Sequence, residues 1–288
     1  MKIAHFSEVP EATPVKRGFR GGDIRFKDLL LGVEGRPDNY GLQWVTVDGA
    51  YHTPQHRHNF EQVRIMIEGS FGFGPGLIQE PGSIGYFCES TYYTQKADER
   101  SVTLLLQIGG PSGAGFMSRE QLRKGIEELS TRGQFNDGVF TWHDDQGKKH
   151  NQDSYEAVWE HLHQRKLRYA KPQFNGPILM RPERFAWVDI ASGVSKKLLG
   201  RFHERGLELS QLKLKANTSF VLPTQGQAHI LVCIEGQGKI GRSTNDQSVA
   251  AQNHYLIWTS IACDKGEAVS IQATHDSVFW LFGLPTFE

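Results

Sequence analysis

Two histidines placed two residues apart, His56 and His58, are the side chains of this 288-residue chain best suited to chemistry. A glutamine follows at position 62, and a Glu-Gly pair closes the run at Gly69. Alternate residues of a strand point to the same face, so a strand through this region would present both imidazoles and Gln62 together. Two imidazoles and an oxygen donor suit a borderline divalent metal such as Fe, Zn, Mn or Ni. The pattern predicts one divalent metal bound by His56, His58 and Gln62.

The identity of the third ligand decides what such a metal can do. Glu61 would complete a two-histidine, one-carboxylate set of the kind found in non-haem iron oxygenases. Its strand parity is opposite to that of the histidines, so it would need a β-bulge to reach the metal. Gln62 has the right parity, but it is neutral and would leave the metal more positive. We favour Gln62 and keep Glu61 as the alternative.

Residues 49–69 resemble the first sequence motif of the cupin superfamily, in which a glycine, a His-x-His pair, an acidic ligand and a second glycine follow one another. Residues 82–95 resemble the second motif. There Cys88 and Ser90 stand where a proline and a glycine are usual, and Tyr93 stands where a histidine is usual. The resemblance implies a cupin barrel. It also implies that Tyr93 faces the metal pocket, either as a phenolate ligand or as a hydrogen-bonding partner of the substrate.

The resemblance leads to two expected catalytic residues. Gln62 takes the usual glutamate position of the first motif, and Arg64 shares the predicted face of the histidines. A buried arginine needs an anionic partner, because burying a charge alone is costly. Arg64 would therefore bind a substrate carboxylate or enolate, or it would form a salt bridge inside the barrel; both interpretations stay open. We expect Tyr93 to exchange a proton and Arg64 to balance charge.

Short apolar runs separated by glycine- and proline-containing turns predict an all-β architecture. A turn at residues 72–76 is typical of a hairpin. The runs that fit strands in the first barrel are residues 42–48, 62–68, 84–88 and 101–108.

Helical signals replace the strand pattern after the first barrel. Residues 118–121 form a capping box that predicts a helix ending before Gly133. Residues 153–156 open a second predicted helix that runs to about residue 165. The residues of this second helix expected to share one face and pack against a barrel are Tyr155, Trp159, Leu162 and Lys166.

The segment between the two predicted helices, residues 142–150, is polar and predicts a loop. His143, Asp144 and Asp145 are adjacent in it and carry metal-ligand chemistry. Adjacent polar side chains in a loop are more often solvated than metal-bound. We therefore do not predict a metal site there.

The second half of the sequence repeats part of the first. Strand-like runs return at residues 185–190 and 207–215, and residues 228–236 then parallel residues 61–69, with an apolar run that ends in Glu-Gly. The matched positions are His229 with Gln62, Pro223 with His56, and Gln225 with His58. One histidine does not make a metal site, so we expect His229 to be packed or hydrogen-bonded and the second barrel to be structural.

The predicted fold is all-β, with two cupin-type jelly-roll barrels and a short helical connector. We assign residues 1–112 to an N-terminal barrel with the metal site. Residues 113–180 form the connector, and residues 181–288 form a C-terminal barrel with a degenerate site.

Charge and composition limit the partners. The chain has 32 basic and 32 acidic residues and no basic stripe, so we expect no nucleic-acid or membrane partner. The N-terminus lacks the apolar core of a signal peptide, and three widely spaced cysteines form no disulfide framework. We expect a cytoplasmic protein with a small-molecule substrate, for which a homodimer is an open alternative.

The sequence favours an enzyme over a binding module. It contains no Gly-x-Ser-x-Gly elbow and no phosphate-binding glycine loop. The leading hypothesis is a metal-dependent dioxygenase that acts on an enol, phenol or diketone. The alternatives are a Zn-dependent isomerase or cyclase, and a non-catalytic cupin that binds a small molecule or stores a metal.

Overall fold

The chain divides into two compact units. A computed structural model describes residues 1–13, 24–202, 205–223, 226–243 and 249–286, so Gln225 lies outside the described residues. The N-terminal unit comprises Glu11–Met180, and the C-terminal unit comprises Met1–Pro10 with Arg181–Glu288. The division into a barrel, a connector and a second barrel at residues 112 and 180 stays a prediction.

The first strand, β1 (Lys2–Ala4), belongs to the C-terminal unit, and the elements that follow it build the N-terminal unit. The strands of its barrel are β2 (Ile24–Leu31), β3 (Tyr40–Val47), β4 (Tyr51–His56), β5 (Phe60–Glu68), β6 (Phe71–Gly72), β7 (Ile78–Gln79), β8 (Ile84–Phe87), β9 (Tyr93–Ala97) and β10 (Ser101–Gly109). After them come α1 (Arg119–Leu129), β11 (Gly133–Asn136), β12 (Val139–His143), β13 (Lys149–Asp153), α2 (Ser154–His163) and β14 (Ile178–Met180).

The C-terminal unit continues with strands and one short 3₁₀ turn (Pro182–Arg184). Its strands are β15 (Val188–Ala191), β16 (Val194–Phe202), β17 (Leu207–Leu214), β18 (Ser219–Leu222), β19 (His229–Glu235), β20 (Gly238–Ser243), β21 (Val249–Tyr255), β22 (Ser260–Cys263), β23 (Val269–Ala273) and β24 (Ser277–Gly283). The predicted all-β class is confirmed.

Two antiparallel sheets form the barrel of the N-terminal unit. The larger sheet has the order β14-β8-β5-β10-β3-β2, and the smaller has the order β4-β9-β6-β7. Alternation along each strand gives both sheets an apolar inner face. A buried cluster joins the two sheets, and it includes Val47 and Met66 from the larger sheet and Tyr51, Phe71 and Tyr93 from the smaller.

The C-terminal unit repeats this arrangement. Its larger sheet has the order β1-β22-β19-β24-β17-β16-β15, and its smaller sheet has the order β18-β23-β20-β21. The central order β22-β19-β24-β17-β16 matches β8-β5-β10-β3-β2 strand for strand. The internal repeat that the sequence indicated is therefore a repeat of the whole barrel.

A helical layer packs on the barrel of the N-terminal unit. Ser118 caps α1 and forms a capping box with Gln121, and Asp153 caps α2, so both predicted helix starts are confirmed. Tyr155 and Trp159 of α2 are buried in a cluster that also contains Phe60 of β5. None of the helices in the described ranges is long and apolar enough to cross a membrane.

The polar segment at residues 142–150 is a β-hairpin, so the prediction of a loop there was wrong. Strands β11, β12 and β13 form a small antiparallel sheet between the helices. Aromatic stacking stabilises it, because Phe140 lies against Trp142 and Trp142 lies against His150. The turn is closed by Asp144, which accepts hydrogen bonds from the backbone of Lys148 and from His150.

Each barrel has a Glu-Gly turn with a left-handed glycine at the same position. Gly69 has φ +69° and Gly236 has φ +86°. A Cβ on Gly69 would collide with the carbonyl oxygen of Arg100, and one on Gly236 would collide with that of Asp276. These carbonyls precede the equivalent strands β10 and β24. Only glycine combines this backbone conformation with so close an approach of the next strand.

We expect Gly69→Ala and Gly236→Ala each to lower the free energy of unfolding by more than about 3 kcal/mol, since both strain and a backbone collision result. Gly35→Ala and Gly266→Ala are matched controls, because these glycines also have positive φ but open space around them. The controls should cost only about 1 kcal/mol. Urea denaturation measures the effects, and equal losses in all four variants would contradict this explanation.

Candidate functional site

A cavity of about 480 Å³ lies inside the barrel of the N-terminal unit. Alternation along the strands of the larger sheet places every second side chain on its wall. The lining residues that the site uses come from β3, β5 and β10 and from the smaller sheet: Gln43, Tyr51, His56, His58, Phe60, Gln62, Arg64, Gln95, Ser101, Thr103, Leu105 and Gln107. This volume is within the range of small-molecule pockets.

The two histidines reach the cavity from a corner of the chain and not from the β5 strand. His56 ends β4, and His58 lies in the short connection before β5 begins at Phe60. The prediction that one strand carries both histidines and Gln62 was therefore wrong. The chain turns from the smaller sheet into the larger one, and this turn brings the imidazole centroids within 5.0 Å of each other.

A chain of hydrogen bonds joins four of the predicted site residues. The Arg64 guanidinium donates to Oε1 of Gln62 at 2.9 Å, and Nε2 of Gln62 donates to the Tyr93 hydroxyl at 2.7 Å. The Tyr93 hydroxyl lies 3.0 Å from Nδ1 of His58. Gln62 is 1% exposed and Tyr93 is 3% exposed, so water does not compete strongly for these bonds.

Tyr93 lies behind the cavity wall. It is paired with His56 in the ladder between β4 and β9, which confirms that its strand runs beside the first histidine. Its ring contacts both imidazoles, with centroids 4.6 Å from His56 and 5.9 Å from His58. The cavity lining includes Gln62 and His58 but not Tyr93. Its hydroxyl therefore reaches the cavity through His58 and Gln62.

The environment of His56 sets its tautomer. Nδ1 lies 2.8 Å from the carbonyl oxygen of Pro54, which can only accept, so this nitrogen carries the proton. The lone pair is then on Nε2, as in histidines that bind metals through that atom. For His58, the proton shared with Tyr93 decides which nitrogen holds the lone pair.

Two of the three predicted ligands fit a divalent metal. His56 and His58 are close enough to share one ion, and a contact to Nδ1 orients each ring. Gln62 is a poorer metal ligand in this orientation. Its side-chain oxygen accepts a hydrogen bond from Arg64, and its amide nitrogen, which cannot bind a metal, is the atom on the side of His58. Arg64 fixes this orientation, since a guanidinium has no lone pair to offer the amide nitrogen. Within the described residues, no cluster of three or more His, Cys, Asp or Glu could hold a metal.

The structure brings Gln62, and not Glu61, to the histidines. Glu61 is buried, with 1% of its surface exposed, but it is not among the residues that line the cavity. The interpretation of Arg64 as half of a salt bridge finds no support, because no ion pair of Arg64 is present in the described parts of the chain. The two cavity-lining charges Asp28 and Arg119 do pair with each other, at 2.9 Å.

Sequence reasoning missed the polar side chains on the strands beside Arg64. Thr103 and Gln107 of β10 face the cavity, and Gln43 of β3 donates to Asp28 at 2.9 Å. A signal for them exists, because the polar residues of the otherwise apolar run 101–108, at positions 101, 103 and 107, all have the same strand parity. Asn59 was also missed; it accepts from the Tyr155 hydroxyl at 2.8 Å and so connects α2 to the corner that carries the histidines.

Similar solved structures place this architecture among known folds. An oxalate decarboxylase from Bacillus subtilis superposes with a TM-score of 0.57 and 13% identity, over 99% of this chain and 78% of its own. A protein from Nostoc punctiforme PCC 73102, provisionally named a dioxygenase, superposes with a TM-score of 0.57 and 10% identity, over 97% of this chain and 81% of its own. The chain has a bicupin fold. No protein-family model matches the sequence, and no curated protein matches it either.

A third bicupin neighbour is a Pseudomonas aeruginosa protein provisionally named a glyoxylate-induced protein, with a TM-score of 0.57 and 10% identity over 97% of this chain and 90% of its own. At these identities the similarity establishes the fold and leaves the chemistry to the residues of the site.

The second cupin barrel has an apolar interior where the first has its cavity. Counting back from the turn glycines, Leu231 takes the position of Arg64, and Phe279 of β24 takes that of Thr103. Both belong to a buried apolar cluster. His229 takes the position of Gln62 and pairs with Gly283. A metal-free second barrel stays a prediction.

His229 makes the stability of the second barrel depend on pH. Burial, and next the positive charge of Lys196, lower the pKa of His229 below its ordinary value of 6.5. The neutral imidazole is therefore favoured in the folded state, and its stabilising contribution is complete above pH 6.5. It is lost as the pH falls through the folded-state pKa.

We expect His229→Gln to reduce the drop in melting temperature between pH 8 and pH 5, because the variant has no imidazole to protonate. Differential scanning calorimetry at both pH values measures this. His275→Gln is the control, because His275 is exposed on the same unit. An unchanged pH response in His229→Gln would show that His229 does not control it.

Proposed function

We propose that the cavity of the first cupin barrel is the active site of a metal-dependent enzyme for a small organic molecule. The observation that carries this proposal is the convergence of His56, His58, Gln62 and Arg64 on one cavity, with Tyr93 hydrogen-bonded behind them. The bicupin neighbour from Bacillus subtilis is described with Mn(II) centres, which supports a divalent ion in this fold.

His56 and His58 would hold the metal through their Nε2 atoms. When bound, the ion would act as a Lewis acid that lowers the pKa of an enol, phenol or diketone substrate. Gln62 would join the ligand set only by giving up its hydrogen bond to Arg64. With Nε2 of His58 on the metal, its Nδ1 would carry the proton and donate to the Tyr93 oxygen, so the Tyr93 hydroxyl would keep its own proton available for acid–base catalysis.

Dioxygenation is the reaction that we propose first, because two histidine ligands suit an iron ion, which would supply the redox chemistry with oxygen. A redox-neutral isomerase or cyclase is the second candidate. The observation that favours it is Gln62, since an amide replaces the carboxylate of the two-histidine, one-carboxylate set. A binding module without catalysis is the remaining outcome of the test.

Oxygen consumption separates these candidates. The protein is loaded anaerobically with Fe(II), or with Zn(II) as the redox-inactive control, and is mixed with a panel of enols, phenols and β-diketones. Oxygen uptake that needs both Fe(II) and a substrate supports the dioxygenase. Substrate conversion without oxygen uptake supports the isomerase or cyclase. If no panel member reacts with either metal, the enzyme proposal fails for these classes.

We expect the double variant His56→Ala, His58→Ala to lose its bound metal while keeping its fold, because the buried clusters of both units do not contain these residues. Elemental analysis and circular dichroism measure the two effects. His52→Ala and His229→Ala are controls and should each retain one equivalent, since His52 is exposed and the second barrel is predicted to be metal-free. If the double variant still binds one equivalent of metal, the metal site lies elsewhere in the protein.

We expect Tyr93→Phe to lower turnover roughly a hundredfold with little change in metal content, because the variant keeps the ring and loses the hydroxyl proton available for acid–base catalysis. The pH profile of turnover should also change. Tyr255→Phe is the matched control, since it removes a buried hydroxyl from the second barrel. A loss of metal would instead identify Tyr93 as a phenolate ligand, and no change in either property would leave it a packing residue.

A further inference from the structure

We infer that Arg64 is the anchor for the carboxylate of a small organic acid whose apolar body fills the rest of the cavity. This inference rests on the proposed function in taking the cavity as the substrate site, and it specifies the substrate class. The side chain of Arg64 is buried in the barrel. Arg64 is only 7% exposed, and it lies on β5 directly opposite Leu105 of β10.

The guanidinium is surrounded by aromatic rings and amides without a carboxylate. It lies 5.4 Å from the ring centroid of Phe73, 5.5 Å from that of Phe87 and 6.0 Å from that of Tyr93. Its single hydrogen bond to a described residue is the one donated to Oε1 of Gln62. Cation–π contacts and one neutral acceptor offset only part of the cost of burying a charge.

The other charged side chains that line the cavity are paired with each other or exposed to water. Asp28 pairs with Arg119, and Glu120 pairs with Arg123. Glu34 lines the cavity too, but it is exposed to water. Arg64 is therefore a buried positive charge that no described side chain neutralises, and the cavity beside it is large enough to admit an anion.

Two buried polar atoms of the cavity-lining residues lack a hydrogen-bond partner among the described residues. They are Nε of Arg64 and Oγ of Ser101. Buried polar atoms are nearly always hydrogen-bonded, so an orphan of this kind needs an explanation. A guanidinium fork matches the two oxygens of a carboxylate, which a neutral or cationic ligand cannot reproduce.

The other side chains that line the cavity determine which kind of organic group can accompany the carboxylate. Tyr51, Phe60, Phe71 and Tyr155 supply aromatic surface, and Gln95 is hydrogen-bonded to the Tyr51 hydroxyl at 3.1 Å. These aromatic side chains favour an aryl or alkyl body on the side of the cavity that they line. We therefore assign the cavity to monocarboxylic acids with an aromatic or branched apolar body.

The test measures binding to the chelator-treated full-length protein by isothermal titration calorimetry. The probes are benzoate, phenylacetate, cinnamate and phenylpyruvate, with phenylacetamide as the neutral analogue of phenylacetate. We expect at least one acid to bind with a stoichiometry of one, and phenylacetamide to bind at least tenfold more weakly than phenylacetate.

Arg64→Met should weaken acid binding by roughly 10- to 100-fold, the range expected for loss of a charge-assisted hydrogen bond. Arg64→Lys keeps the positive charge but lacks the two-pronged geometry of the guanidinium, so its affinity for the acids should be intermediate. It replaces Arg64→Met as the test variant if Arg64→Met does not fold. Arg123→Gln is the matched control, because it removes a cation from the same cavity lining but one already paired with Glu120. Its affinity for the acids should equal that of the wild type.

Equal acid affinity in Arg64→Met and the wild type would overturn the inference, as would the absence of saturable binding by all four acids. Because the titration uses metal-free protein, its result does not depend on the metal binding that the proposed function requires. Acid binding that survives in the His56→Ala, His58→Ala variant supports the anchor even if no metal is found. Metal binding without acid binding would leave the enzyme proposal standing and remove the anchor.

Discussion

The close approach of a strand to the Glu-Gly turn of each barrel is the constraint on which the rest of the structure depends. Gly69 and Gly236 allow the backbone before β10 and β24 to contact the turn, and the central strand pairs run on from this contact, with a register shift after the first residue pair. A one-residue slip of register would turn every inward side chain outward. In the first barrel, Gln62 and Arg64 face the cavity only because that register holds.

The same register makes the two barrels comparable residue by residue. The first barrel has Arg64 and Thr103 at inner positions where the second has Leu231 and Phe279. Dispersion contacts in the second interior stabilise the fold, and the first gives up part of that stabilisation to keep a polar cavity. Nε of Arg64 has no hydrogen-bond partner among the described residues, as expected if a ligand completes the proposed site.

Much of this could be predicted from the sequence, because alternation and glycine turns are local signals. The strand runs, both helix caps and the repeat around His229 follow from them. The position of the histidines does not, because His56 and His58 lie at a corner between sheets, where strand parity no longer applies. The orientation of the Gln62 amide also could not be predicted, since it depends on Arg64, and the strand pattern does not show which of their atoms meet. The hairpin at residues 142–150 was hidden because its stability comes from stacked rings and not from an apolar run.

The cavity also has a mechanical consequence. Internal voids disappear when a protein unfolds, so the volume change of unfolding scales with the void volume of the folded state. In this chain the cavity of about 480 Å³ lies in the N-terminal unit, whereas the second barrel has an interior packed with apolar side chains. Hydrostatic pressure therefore acts unevenly on the two repeats. We expect the part of the cavity that water does not fill to make this barrel the more compressible one, and a ligand that fills it to remove that difference.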